Sequence, residues 1–87
     1  MDDHAVLVHN VWQRERTARL SCEPILRAVT DLPVREAATT LGVNVGTLMK
    51  WRASEGEATV HYARADRIAC RLGVHPSAMW GRAWWSL

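Results

Sequence analysis

Residues 34–51 read VREAATTLGVNVGTLMKW, and their spacing sets the expected architecture of the chain. Gly42 follows the small residue Ala38 by four positions, and the apolar residues Leu48 and Trp51 come six and nine positions after it. Ala38 leaves room for a second helix to approach, and Gly42 can end the first helix in the left-handed conformation that glycine adopts without steric cost. Leu48 and Trp51 would anchor one face of the next helix. The spacing therefore predicts a helix-turn-helix, two short helices packed nearly at right angles.

Capping residues, prolines and glycines on either side predict further helices. Ser21 and Thr59 are the expected N-caps of the first and fourth helices, and Gly73 is the expected end of the fourth. The expected helices span about 21–30, 33–41, 44–53, 59–72 and 76–80. The predicted fold is all-α, a compact bundle of about five short helices that contains the helix-turn-helix.

The 87 residues allow a single small domain, which we divide into three regions. Residues 1–20 are an N-terminal arm or extra helix, in which the stretch 4–12 fits either a short strand or a helical turn. Residues 21–80 form the helix-turn-helix domain, and residues 81–87 form a tryptophan-rich tail.

Composition argues against several classes of protein. No apolar run approaches the ~18–20 residues that span a bilayer, and no charged-then-apolar leader opens the chain, so we expect a soluble, cytoplasmic protein without membrane contact. Cys22 and Cys70 lack partners at metal-ligand spacing, and both are interpreted as small buried apolar groups. No catalytic arrangement or phosphate-binding glycine loop is present, so we expect no enzyme activity, cofactor, metal or small-molecule ligand.

The third helix divides into two faces at about 100° per residue. Leu48 and Trp51 point one way, with Val45 at the margin, and the opposite face carries Gly46, Met49, Lys50 and Ala53. Such a division suits a helix that reads the DNA major groove. There a lysine reaches guanine or phosphate, Met49 and Val45 meet thymine methyl groups, and Gly46 allows close approach.

Phosphate contacts are expected around this helix. Asn44 and Thr47 at its start can bind phosphate together with the free backbone amides, and Arg35 in the second helix can do the same. The fourth helix carries Arg64, Arg67 and Arg71 on the side opposite its apolar stripe. These three could attract DNA, but we interpret them as a solvated basic face.

Five tryptophans are many for a chain of this length. Trp51 and Trp80 fit core positions. Trp84 and Trp85 are adjacent and cannot share one face of a helix or strand, so at least one is expected to be exposed or to pack on a partner. Two alternatives are therefore open for this pair: self-association of the protein, or simple packing over the core.

The segment from about Ser21 to Trp80 resembles the lambda-repressor-like family, the Cro or XRE class of helix-turn-helix proteins. The resemblance is carried by the 38–51 pattern, by ADRIA at 65–69, by LGVHP at 72–76 and by Met79–Trp80. The later stretches look like those of small regulators common in actinobacteria and their phages. The resemblance implies a bundle of about five helices that binds double-stranded operator DNA as a homodimer.

The leading hypothesis is thus a sequence-specific transcriptional regulator, most simply a Cro-like repressor from a phage or mobile element. One alternative is an excisionase-like recombination directionality factor, which bends DNA. A second, of another class, is a protein-interaction module such as an antitoxin or a phage protein that captures a host factor.

Overall fold

The computed structural model describes residues 18–87, and within them the chain is mainly helical with one small sheet. The two strands are β1 (Arg19–Ser21) and β2 (Thr59–His61). The helices are α1 (Glu23–Ala28), α2 (Val34–Leu41), α3 (Val45–Ala53), α4 (Tyr62–Leu72), α5 (Pro76–Trp80) and α6 (Arg82–Trp85). The expected all-α class is therefore corrected to a mainly helical fold with a two-stranded sheet.

The sheet is antiparallel and joins the start of the described chain to the segment between α3 and α4. Its central pair is Leu20 opposite Val60, and the two side chains are only 3% and 2% exposed. Each strand thus contributes one apolar residue to the core. On the exposed side, Arg19 donates hydrogen bonds to the hydroxyl and the carbonyl of Thr59 at 2.7 and 2.9 Å.

Two expected N-caps are wrong because of these strands. Thr59 pairs in β2, so α4 begins at Tyr62, and the Nδ1 of His61 accepts the N–H of Ala63 at 3.2 Å. Ser21 lies in β1, and the N-cap of α1 is the next residue, Cys22. The Ser21 hydroxyl still accepts the Glu23 N–H at 3.1 Å.

The pair of helices α2 and α3 follows the predicted boundaries to within one residue. Gly42 has φ 73° and ψ 30°, the left-handed conformation predicted for it. The N–H groups of Gly42 and Val43 both donate to the carbonyl of Ala38, at 2.9 and 3.1 Å, which closes the C-terminus of α2. Asn44 is the N-cap of α3, as predicted.

The core is built from buried residues of the sheet and of helices α1 to α5. Leu48 is fully buried, and Trp51 and Trp80 are each 8% exposed, which confirms the core positions expected for the two tryptophans. The indole N–H of Trp80 donates to the carbonyl of Ser21 at 2.8 Å and ties α5 to β1. Cys22 is buried as expected, whereas Cys70 is exposed, so its expected burial is wrong.

The stretch 81–87, expected as a tail, contains the short helix α6. The expected arm or extra helix at 1–20 lies mostly outside the described residues, and its last two residues, Arg19 and Leu20, belong to β1. Within residues 18–87, no helix has the length and apolar character needed to cross a membrane.

Candidate nucleic-acid interface

The helix α3 separates an anchored face from an outward face. Leu48 and Trp51 are buried against the core. On the opposite side lie the exposed residues Gly46, Met49, Lys50 and Ala53. Met49 keeps 58% of its surface exposed, which leaves this long apolar side chain available for contact.

The N-terminus of α3 is held by a side-chain cap. Asn44 accepts the N–H of Thr47 on its Oδ1 at 2.7 Å, a bond that stabilises a helix by about 1 kcal/mol. The side-chain oxygen of Asn44 is thus engaged in the cap, and the residue is exposed. Val45 and Thr47 are half-buried, so they offer less surface to a partner than Gly46 does.

Arg35 belongs to a different helix, α2. It is exposed on α2 and lines an open groove with Leu32, Glu36, Thr39 and Thr40. None of the residues lining that groove belongs to α3. The structure therefore brings Gly46, Met49, Lys50 and Ala53 together on the outward face of α3, whereas Arg35 lines a groove without α3 residues.

Arg71 binds the C-terminal end of α2. Its Nη2 and Nε donate to the carbonyls of Thr39 and Thr40 at 2.9 and 3.2 Å. A cation at these carbonyls also complements the negative end of the helix dipole. The guanidinium runs so close to the turn that a Cβ built on Gly42 would lie 2.6 Å from the Arg71 Nε. Sequence reasoning missed this contact, because it joins residues about 30 positions apart.

Arg64 is also not simply solvated. It is half-buried, and its guanidinium carbon lies 5.5 Å from the centroid of the Trp51 ring, in range of a cation–π interaction. The solvated basic face expected for α4 therefore holds only in part, since Arg64 is half-buried and Arg71, although exposed, is bound to the end of α2. Arg67 does remain exposed.

These arginines share an open groove with the turn between α2 and α3, which we call the arginine groove. Among the described residues it is lined by Leu41, Gly42, Val43, Arg64, Arg67, Ile68 and Arg71. No acidic side chain is in that set.

Other basic and titratable groups have structural roles. Arg52 donates a weak hydrogen bond of 3.5 Å to the carbonyl of Val29. Burial raises the pKa of the Cys22 thiol to about 11, and the nearby cations Arg19 and Arg64 offset part of this effect. In residues 18–87, no group of three or more His, Cys, Asp or Glu gathers as metal ligands would.

The tryptophans near the C-terminus differ from each other, as expected for adjacent positions. Trp84 packs partly against the core, whereas Trp85 is 70% exposed. The Trp85 ring stacks on His75, with centroids 5.6 Å apart and planes at 22°. His75 is fixed in turn, because its Nδ1 accepts the N–H of Ser77 at 3.1 Å as the N-cap of α5.

The chain was compared with protein-family models, with curated proteins and with solved structures, and none of them matches. The functional argument therefore depends on the geometry of the chain itself.

Proposed function

We propose that this protein is a sequence-specific DNA-binding regulator that inserts α3 into the major groove. The observation that carries the proposal is the outward face of α3, with Met49 and Lys50 exposed opposite the buried Leu48 and Trp51. The left-handed turn at Gly42 and the Asn44 cap support it, because a helix-turn-helix needs a sharp turn between its two helices and a defined start to the second.

The outward face also suggests how bases are read. Lys50 supplies a donor for guanine acceptors, and the Met49 side chain supplies apolar contact for a thymine methyl group. Gly46 carries no side chain, so the backbone of α3 can approach the base edges closely. The resemblance in sequence favours a Cro-like repressor of phage or mobile-element type among the regulators of this class.

The Lys50→Ala substitution tests this role directly. We expect it to weaken specific DNA binding by about ten-fold or more, since one good base contact contributes about 1–3 kcal/mol. The fold should be unaffected because Lys50 is exposed. Binding sites would first be selected from random DNA, and affinity then measured by fluorescence anisotropy at fixed salt.

Arg27→Ala is the matched control. Arg27 is an exposed cation on α1, in a groove that shares no lining residue with the outward face of α3. Equal affinities for wild type and Lys50→Ala would rule out α3 as the reading helix. A selection that enriches no sequence would contradict specific DNA binding altogether.

We further propose that two copies act together, with α3 of each in successive major grooves. The supporting observation is Trp85, a large aromatic side chain held in place by its stack on His75 but left 70% exposed. Exposed aromatic residues of this kind often provide most of the binding energy at protein interfaces.

Trp85→Ala should weaken dimer formation by about 30-fold, the equivalent of about 2 kcal/mol for an interface tryptophan. Sedimentation equilibrium over a range of protein concentrations measures this. Met49→Ala is the control, since it removes another exposed apolar side chain from a different surface. Wild-type protein that stays monomeric at all concentrations, or a palindrome absent from the selected sites, would count against the dimer.

A further inference from the structure

We propose that the arginine groove is an oxyanion site that takes one phosphate group, and that the DNA backbone supplies it. Only the source of the phosphate, the DNA backbone, rests on the proposed function. That the groove binds an oxyanion is argued from the residues of the groove alone.

The first argument is positive charge that has no carboxylate partner among the described residues. Arg64, Arg67 and Arg71 bring three positive charges to one groove. Within residues 18–87, no ion pair to a carboxylate neutralises any of them. Like charges gathered without a counter-ion repel one another, and an anion in the groove relieves that repulsion.

The second argument is the number of unused donors. Arg71 spends Nε and Nη2 on the carbonyls of α2, which leaves its Nη1. Arg64 is positioned by the ring of Trp51, a contact that uses none of its N–H groups in a hydrogen bond. Arg67 makes no hydrogen bond within the described part of the chain. Guanidinium groups present their N–H donors in a planar fork that matches phosphate oxygens.

The third argument is location. Gly42 and Val43 line the groove and lead directly into Asn44, the N-cap of α3. Arg64, which also lines the groove, contacts α3 near its C-terminal end through the ring of Trp51. A helix that occupies the major groove has backbone phosphates beside its N-terminus, where the positive end of its dipole also attracts them. The arginine groove borders the place where such a phosphate would lie.

The substitution Arg67→Ala tests the proposal. A plot of log K against log salt concentration for DNA binding should lose about 0.9 units of slope, the amount expected for one phosphate contact. With equal affinities at 1 M salt, this loss of slope makes the DNA affinity of the variant about eight-fold weaker at 0.1 M salt. The loss should be equal on selected and on unrelated DNA, because phosphate contacts carry no base information.

Two variants serve as controls. Arg67→Lys keeps the charge and should retain most of the slope. Arg82→Ala removes an exposed arginine from α6, outside the groove, and should leave the slope unchanged. Thermal melts of all variants verify that the fold is intact, which is expected because Arg67 is exposed.

Titration with inorganic phosphate tests the oxyanion site independently of DNA binding. In the NMR spectrum, the amide signals of Gly42 and Val43 should shift with phosphate, and the shifts should vanish in Arg67→Ala. If DNA binds but Arg67→Ala changes neither the slope nor the phosphate shifts, the site is refuted while the proposed function stands.

If no DNA binds, the proposed function fails, and the phosphate titration alone decides the site. Shifts that depend on Arg67 would then support an oxyanion site served by a free phosphate compound. Their absence would overturn the site as well.

Discussion

Gly42 meets two separate requirements of the turn between α2 and α3. Its φ of 73° is a conformation that side chains with a Cβ adopt only at a cost of about 1–2 kcal/mol. The space beside it is also occupied, because the Arg71 Nε and Cδ would lie 2.6 and 2.7 Å from an added Cβ. Arg71 cannot withdraw without losing its two hydrogen bonds to the carbonyls of α2.

Gly42→Ala should therefore lower the free energy of unfolding by about 2–4 kcal/mol, the sum of the backbone cost and the displacement of Arg71. In a chain of this size each kcal/mol lowers Tm by about 4–8 °C. Thermal or urea unfolding followed by circular dichroism measures the change.

The chain contains a matched control at Gly73. It has nearly the same backbone conformation, φ 76°, but no atom lies within 4 Å of an added Cβ. Gly73→Ala should cost only the backbone term of about 1–2 kcal/mol. Introducing Arg71→Ala should reduce the cost of Gly42→Ala to the same value. Equal costs at both glycines in the wild-type background would contradict the contact between Arg71 and the turn.

At the scale of single elements, α3 could be predicted from sequence because its signals are local. The cap at Asn44 and the two faces of the helix follow from spacing within about ten residues. The same holds for the end of α4 at Gly73 and the start of α5 at Pro76. Such features depend on neighbours along the chain, which a single sequence displays.

The sheet could not be predicted in this way. Each strand is three residues long and turns one residue, Leu20 or Val60, into the core, so the alternation of polar and apolar residues is too short to indicate a strand. The pairing partner lies 40 positions away in sequence. Thr59 fits a helix cap by local rules, and only the pairing with β1 places it in a strand.

The candidate site likewise has one part that local sequence predicts and one part that it does not. The outward residues of α3 were predictable because helical periodicity alone separates them from Leu48 and Trp51. The arginine groove was not, since Arg64 and Arg71 act on Trp51 and on the end of α2, which belong to other elements. Side chains as long as arginine can reach partners that no local pattern indicates.

At the scale of the whole molecule, the buried thiol of Cys22 links stability to alkaline pH. Its pKa is about 11 in the folded protein, against 9.0 for the ordinary thiol. The native state therefore holds the thiol proton more tightly than the unfolded chain. The resulting stability is complete below about pH 9 and is lost as pH rises towards 11.

We expect ionisation of the Cys22 thiol to reduce the free energy of unfolding by about 2 kcal/mol between about pH 9 and pH 11. The measurement is urea unfolding under reducing conditions at several pH values. Cys22→Ala should lack the decrease attributable to this thiol, although it is less stable at neutral pH. Cys70→Ala should behave like wild type, because Cys70 is exposed. Parallel pH profiles for wild type and Cys22→Ala would refute the assignment.

The way α3 is anchored has a consequence for the evolution of this protein. Its outward positions, Gly46, Met49, Lys50 and Ala53, are all exposed, whereas Leu48 and Trp51 hold the helix to the core. Substitutions at exposed helical positions usually change stability by less than about 0.5 kcal/mol, apart from the helix propensity of the new residue. The outward residues are thus free to diversify while the scaffold stays constant. A library randomised at those four sites should yield mostly folded proteins with altered binding preferences.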